Sequence, residues 1–131
     1  MIREGTIQIP FRYAAGATAS QFLVALRDDE RILGARCPSC QRVLCPAPPY
    51  CARCGAATAE LVEVGPAGTV VSFTETGDGR TFGLILLDGA DTALLHRLIE
   101  PAPELRCGAR VRARFAAERT GSICDIEGFT P

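Results

Sequence analysis

The chain has 131 residues, with 14 basic and 15 acidic side chains and a formal net charge of −1. That balance does not favour nucleic acid or an anionic membrane, and the length suits one domain or two very small ones. Every basic residue is arginine, so no side chain here can form a Schiff base with a carbonyl substrate.

The first stretch, MIREGTIQIPFRY, carries an acid and a proline where a signal peptide would need an apolar centre. No run approaches the ~18 apolar residues that would span a bilayer. A cytoplasmic location and no membrane partner are expected. The Ile7 to Tyr13 arm is too short to form a sheet alone; it could pair with the barrel that follows or reach onto a partner. Next, Thr18-Ala-Ser-Gln21 resembles a capping box, and Phe22, Leu23, Ala25 and Leu26 supply an apolar stripe. A helix is predicted over 19–29. Acids at 28–30 oppose the macrodipole at its end and favour fraying. Arg31 to Arg36 reads as a strand.

Five of the seven cysteines fall within residues 37–54. Cys37-Pro-Ser-Cys40 and Cys51-Ala-Arg-Cys54 are paired C-x-x-C turns, and Gly55 follows the second where a turn often needs φ > 0. In a reducing compartment such clusters serve metals more often than disulfides. Two pairs close a tetrahedron, and four thiolates suit zinc, with iron as the alternative. A closed site leaves no position for water, so the metal is expected to be structural. Cys45 is surplus to the tetrahedron and reads as a small buried or half-buried residue. Cys107 and Cys124 lie within apolar patterns and read as core filler.

Beyond residue 60 the texture changes. Strand-like runs are predicted at 69–76, 82–87, 92–99, 109–118 and 122–129, punctuated by Gly77-Asp-Gly79, Asp88-Gly89, Pro101-Ala-Pro103, Cys107-Gly108 and Thr120-Gly121. Five short strands without a long helix suggest a small barrel, an OB-fold or an SH3-like one. The organisation expected is an arm and helix (1–33), a zinc ribbon (34–60) and a barrel (61–131), mostly β overall.

The quoted residues also resemble a known family. Pro48-Pro49-Tyr50-Cys51, the Gly65-x-x-Gly68-Thr-Val-Val-Ser-Phe-Thr74 strand, Leu86-Leu87-Asp88-Gly89, Gly108-x-x-Val111-x-x-x-Phe115 and Phe129-x-Pro131 recur in that order. Together they look like the proteins grouped as domain of unknown function 35, with a rubredoxin-like zinc ribbon followed by a five-stranded OB-fold barrel. The resemblance implies a structural Zn2+ on Cys37, Cys40, Cys51 and Cys54. It also implies a non-catalytic accessory subunit bound to an acyl-CoA enzyme, one copy per partner subunit. In such families the partner is a thiolase-superfamily enzyme, including lipid-transfer-protein-type aldolases of steroid side-chain degradation, or a MaoC-type, hotdog-fold enoyl-CoA hydratase.

The catalytic inventory agrees with an accessory role. The single histidine, His96, sits in a strand pattern with no nearby nucleophile and reads as structural. The acids are scattered singly. A single-stranded nucleic-acid module would need stacking aromatics and a basic groove, and the chain has six Phe, two Tyr and no Trp. Arg110, Arg112 and Arg114 share one strand face by period two. That stripe reads first as a solvated outer face, and otherwise as a contact for CoA phosphates, an acidic partner or RNA. Phe82 to Leu87 is apolar on both faces, whereas a barrel needs only one. Either the chain's own helix covers the outer side or another subunit does, and Phe82, Leu84 and Leu86 are the interface candidates.

Overall fold

The computed structural model describes residues 1–131 apart from Ala102 and Glu104. The interruption expected at 101–103 thus falls partly outside the described residues. Residues 1–16 form no regular element. Helix α1 spans Ala17–Asp29. Strands β1 (Ile32–Arg36), β2 (Val43–Leu44) and β3 (Glu60–Val64) make one antiparallel sheet in the order β2-β1-β3. The remaining strands are β4 (Ala67–Glu75), β5 (Thr81–Leu87), β6 (Ala93–Leu98), β7 (Arg110–Phe115) and β8 (Ile126–Thr130). They close into a barrel in the order β4-β5-β6-β8-β7. The third and fifth barrel strands, β6 and β8, are neighbours and parallel, whereas the other pairs are antiparallel. That order is the OB-fold's and settles the choice between barrels.

Gly68 shows why the first barrel strand needs its glycine. A Cβ there would stand 2.7 Å from the Leu86 carbonyl oxygen, closer than any side chain could sit, so β4 can approach β5 only without one.

One apolar core runs through all three parts of the chain. Phe22 and Leu26 of α1, Ile32, Ala35 and Val64 of the ribbon sheet, and Val70, Ile85, Leu87 and Phe129 of the barrel belong to the same cluster. Each fully buried Leu, Ile or Phe contributes about 1.5–3 kcal/mol, so helix, ribbon sheet and barrel hold one another. Strand β3 is hydrogen-bonded to β1 along its whole length, from Glu60–Arg36 to Val64–Ile32, so the ribbon's sheet extends through Val64.

Several local expectations need correcting. Helix α1 begins at Ala17 with Gly16 as N-cap and no side-chain cap; Thr18 lies inside the first turn and does not close a capping box. Its C-terminus is not loose. Glu30 takes a left-handed conformation, and the Glu30 and Arg31 N–H groups both donate to the Ala25 carbonyl. Arg119, from the loop after β7, donates to the Arg27 carbonyl at 2.8 Å and pairs with Glu30 at 2.8 Å. A cation at the helix C-terminus offsets the unfavourable acids there. The fifth barrel run is extended only from Ile126; Ile123–Asp125 is a single 3₁₀ turn. Cys107 and Cys124 are exposed rather than core, because both sit in turns that carry them out of the apolar pattern. Among the described residues no helix is long and apolar enough to cross a membrane.

Candidate metal centre

The two C-x-x-C segments fold into matching knuckles. In the first, Cys37 N–H donates to the Arg42 carbonyl at 2.8 Å and Gln41 N–H to the Cys37 carbonyl at 3.0 Å. In the second, Cys51 N–H donates to Ala56 at 2.9 Å and Gly55 N–H to Cys51 at 2.8 Å. Both knuckles turn through a left-handed residue just after the second cysteine, Gln41 at φ 60° and Gly55 at φ 74°. The expectation for Gly55 holds, and its counterpart is a glutamine. Left-handed backbone costs a non-glycine residue about 1–2 kcal/mol. A Cβ at Gly55 would meet nothing within 4 Å, so its cost would be conformational alone. Gly55→Ala is expected to lower stability by about 1 kcal/mol and Gln41→Gly to raise it by about 0.5–1 kcal/mol. Denaturant midpoints at one fixed zinc concentration would check both.

The sulfurs of Cys37, Cys40, Cys51 and Cys54 all lie within 4.8 Å of one another. Cys37 and Cys54 stand 3.4 Å apart, and Cys40 and Cys51 3.6 Å. Zn–S bonds of about 2.3 Å in a tetrahedron put the sulfurs about 3.8 Å apart, close to these two separations, so the donor set suits the ion. Electrostatics point the same way. The N–H groups of Cys54 and Arg53 aim at the Cys51 sulfur and hold its thiol down to about 6. The Cys40 N–H does the same for Cys37, which also lies below the usual thiol range. Cys40 is held up; the Arg42 N–H favours its thiolate, but burial and the neighbouring Cys37 and Cys51 sulfurs outweigh it. A third and fourth thiolate gather there only around a cation. All four positions of that cation would be filled by sulfur, which makes the site structural.

Cys45 stays apart, as expected. It is buried in the main core, and burial alone pushes its thiol up to about 12. The residues that fix the ribbon against the barrel were not visible in the sequence. Asp91 accepts the Val43 N–H at 2.8 Å through its carboxylate, and its own N–H donates to the Val43 carbonyl at 2.8 Å. The Thr92 hydroxyl accepts from Cys45 N–H at 2.8 Å and donates to the Cys45 carbonyl at 3.1 Å. The turn between β5 and β6 therefore grips β2. Its Asp-Gly-Ala-Asp-Thr sequence signals a turn, but nothing in it names the strand it holds.

Away from the metal site, His96 and two arginines of the β7 stripe have hydrogen-bond or ion-pair partners. His96 Nδ1 accepts the Arg97 N–H at 2.8 Å, so the proton resides on Nε2, which faces the Ile123 carbonyl at 3.3 Å. Burial lowers the imidazole's pKa, against the opposing hydrogen bonds to Ile123 and Arg97. The ring is braced edge-on against Phe129 at 5.6 Å. The arginine stripe is largely neutralised: Arg110 forks onto Asp88 and donates to Thr69, and Arg114 meets Glu127 at 2.9 Å.

The interface candidates separate. Phe82 is partly covered, with Arg80 stacked over its ring at 5.8 Å. Leu84 and Leu86 remain over a third exposed. Helix α1 packs chiefly on β1 and the 3₁₀ turn, and the exposed Leu84 and Leu86 show that it leaves this face open. Leu95, which lies opposite Leu84 across the β5–β6 ladder, is 64% exposed and extends the patch. Sequence reading missed Leu95 because its run reads as one more barrel strand.

Fold and site together define a zinc-ribbon protein carrying an OB-fold barrel. Comparison with known proteins agrees. Residues 25–60 match the family model described as ChsH2, rubredoxin-like zinc ribbon domain. A DUF35-family protein of unknown function from Sulfolobus solfataricus is 25% identical, with a TM-score of 0.61, over 75% of this chain and 76% of that one. A chain of the Ltp2-ChsH2(DUF35) aldolase shares the fold at 21% identity and a TM-score of 0.64, over 92% of this chain and 98% of that one. No curated protein matches the sequence. At 92% of this chain, the likeness to the second of these takes in ribbon and barrel alike.

Proposed function

We propose that this protein is a non-catalytic accessory subunit that docks onto an acyl-CoA-processing enzyme of the thiolase superfamily, one copy per partner subunit, and completes it. The observation that carries the reading is the open apolar face of β5 and β6. Leu84, Leu86 and Leu95 sit side by side on the outside of a barrel whose interior is already filled. A patch of this kind on a protein of net charge −1 is a solubility liability unless a partner covers it. It borders a groove of about 480 Å³ lined by Phe82, Leu95 and Ile126, with Arg80 and Arg97 among its walls. Such concavity suits a partner's anchoring side chain. The metal-pinned ribbon beside the barrel is a rigid platform, and preorganisation favours affinity. That a chain of the same fold is named as part of an aldolase with Ltp2 supports this class of partner. The acyl-CoA pocket and the catalytic groups belong to the partner, because both His96 ring nitrogens already face partners and the metal site is closed by sulfur.

The strand pair that OB-folds use for oligonucleotides carries leucines here, with Phe82 as its sole aromatic. That composition argues against the nucleic-acid alternative. A MaoC-type hydratase would use the same face, and the identity of the captured enzyme separates it from a thiolase or aldolase.

The test is capture with the tagged full-length chain from cells of its source, with the bound enzyme identified by mass spectrometry. Leu84→Glu and Leu95→Glu are each expected to weaken the complex by about a hundredfold or more and leave the melting temperature within a few degrees of the parent. A protein that stays monomeric and captures no acyl-CoA enzyme, or a complex indifferent to both charges, would overturn the reading.

A further inference from the structure

The arm before α1 is the largest feature that the docking face leaves unexplained. Ile7, Ile9, Phe11 and Tyr13 are each 73% exposed or more, so the described residues leave them largely uncovered. They alternate with Gln8, Pro10 and Arg12, the period of an extended strand with one apolar face. The Phe11 and Tyr13 rings are already stacked on one side, with centroids 5.9 Å apart. Gly16, at φ 81°, lets the arm leave the helix at an angle other residues resist.

Backbone parity adds a second constraint. In an extended strand, residues of one parity direct both N–H and C=O to the same edge. Pro10 has no N–H, and it falls on the even-numbered edge. The odd-numbered edge keeps every donor, at Ile7, Ile9, Phe11 and Tyr13. The arm can therefore pair in full along one edge only, with proline on the edge left to solvent, where sheets tolerate it. Among the described residues its own chain offers no edge of matching length. The barrel is closed and has no edge, β2 is two residues long and β3 five, against seven residues from Ile7 to Tyr13.

Resting on the docking reading above, we propose that the arm adds as an edge strand to an exposed sheet edge of the partner enzyme, hydrogen-bonding through its odd-numbered residues and pressing Ile7, Ile9, Phe11 and Tyr13 onto apolar surface beside that edge.

The experiment is residue-resolved amide exchange on the full chain, free and in complex with the acyl-CoA enzyme it captures. In the complex the amides of Ile7, Ile9, Phe11 and Tyr13 slow by about a hundredfold or more, while Gln8 and Arg12 exchange nearly as in a free peptide. Two proline variants ask the same question by affinity, and both lie outside the folded body. Ile9→Pro removes a pairing donor and keeps an apolar side chain; it weakens the complex about tenfold or more, whereas Gln8→Pro costs less than about threefold. Equal effects of the two variants, or an arm that stays unprotected in a complex sensitive to Leu84→Glu, would overturn the arm's role and leave the docking reading intact. Failure to capture any acyl-CoA enzyme, with the arm exchanging freely throughout, would overturn both. Concentration-dependent protection of the odd amides in the isolated chain would make a second copy the occupant and overturn the partner edge.

Discussion

Cys51→Ser is expected to lose most of the bound metal and to disorder both knuckles, while Cys45→Ser keeps full metal content. The contrast follows from geometry. Cys51 is one of four sulfurs within 4.8 Å of one another, and Cys45 is not among them. The knuckles have little else to hold them. Their own apolar cluster consists of Cys37, Leu44 and Cys51, with Cys40 and Ala56 beside it. Structural zinc contributes about 10–16 kcal/mol of apparent folding free energy in small peptides at neutral pH, far more than so small a cluster can supply. Chelation should give the same result as Cys51→Ser. The sheet beneath behaves differently, because Ile32, Ala35 and Val64 are packed into the barrel's core. The knuckles should lose amide protection first, with the barrel strands still protected. Elemental analysis and amide exchange check the two halves of the claim. Equal metal loss in both variants, or a barrel that melts together with the knuckles, would refute it.

Asp125→Ala should destabilise the protein by about 2–4 kcal/mol, the largest loss expected from any single side chain outside the core and the metal site. Its carboxylate is 2% exposed and accepts from the N–H groups of Thr120, Gly121 and Ser122 at 2.9, 2.8 and 3.1 Å. It thereby organises the loop whose Arg119 closes the end of α1 and whose Ile123 carbonyl meets His96. Truncation orphans three donors at once. Burial pushes this carboxyl up, but the three N–H groups and the nearby Arg119 charge win, and its pKa lies below the ordinary value. The stability it contributes is thus complete above the unfolded carboxylate value of about 3.9 and drains away as the pH falls through the lower, folded value. The parent should lose stability steeply on that acid limb, and Asp125→Asn, already uncharged, should show a flatter one. Urea melts from pH 2 to 7 would show the difference. Parallel curves for parent and variant would mean that the charge is not what holds the loop.

The sequence by itself determined the metal site, the mostly β character and the number of barrel strands. Each of these is carried by short-range chemistry. A C-x-x-C turn aims its two sulfurs by local geometry, and a β-branched run bounded by Gly and Asp declares a strand without reference to its neighbours. Matching knuckle hydrogen bonds at Cys37 and Cys51 bear this out. Only the tertiary structure decided what lies between distant segments. The parallel β6–β8 pair distinguishes an OB-fold from other barrels, and no periodicity encodes which strands become neighbours. Asp91 and Thr92 grip β2 from nearly fifty residues away. Arg119 caps a helix that ends ninety residues before it, so acids that looked unfavourable at that terminus are compensated. Cys107 and Cys124 have apolar neighbours in sequence but stand in turns, which expose them. Leu84 and Leu95 become one patch only when the β5–β6 register sets them opposite each other. Burial, neutralisation and surface continuity are properties of pairs brought together by the fold, and a single chain read in order does not contain them.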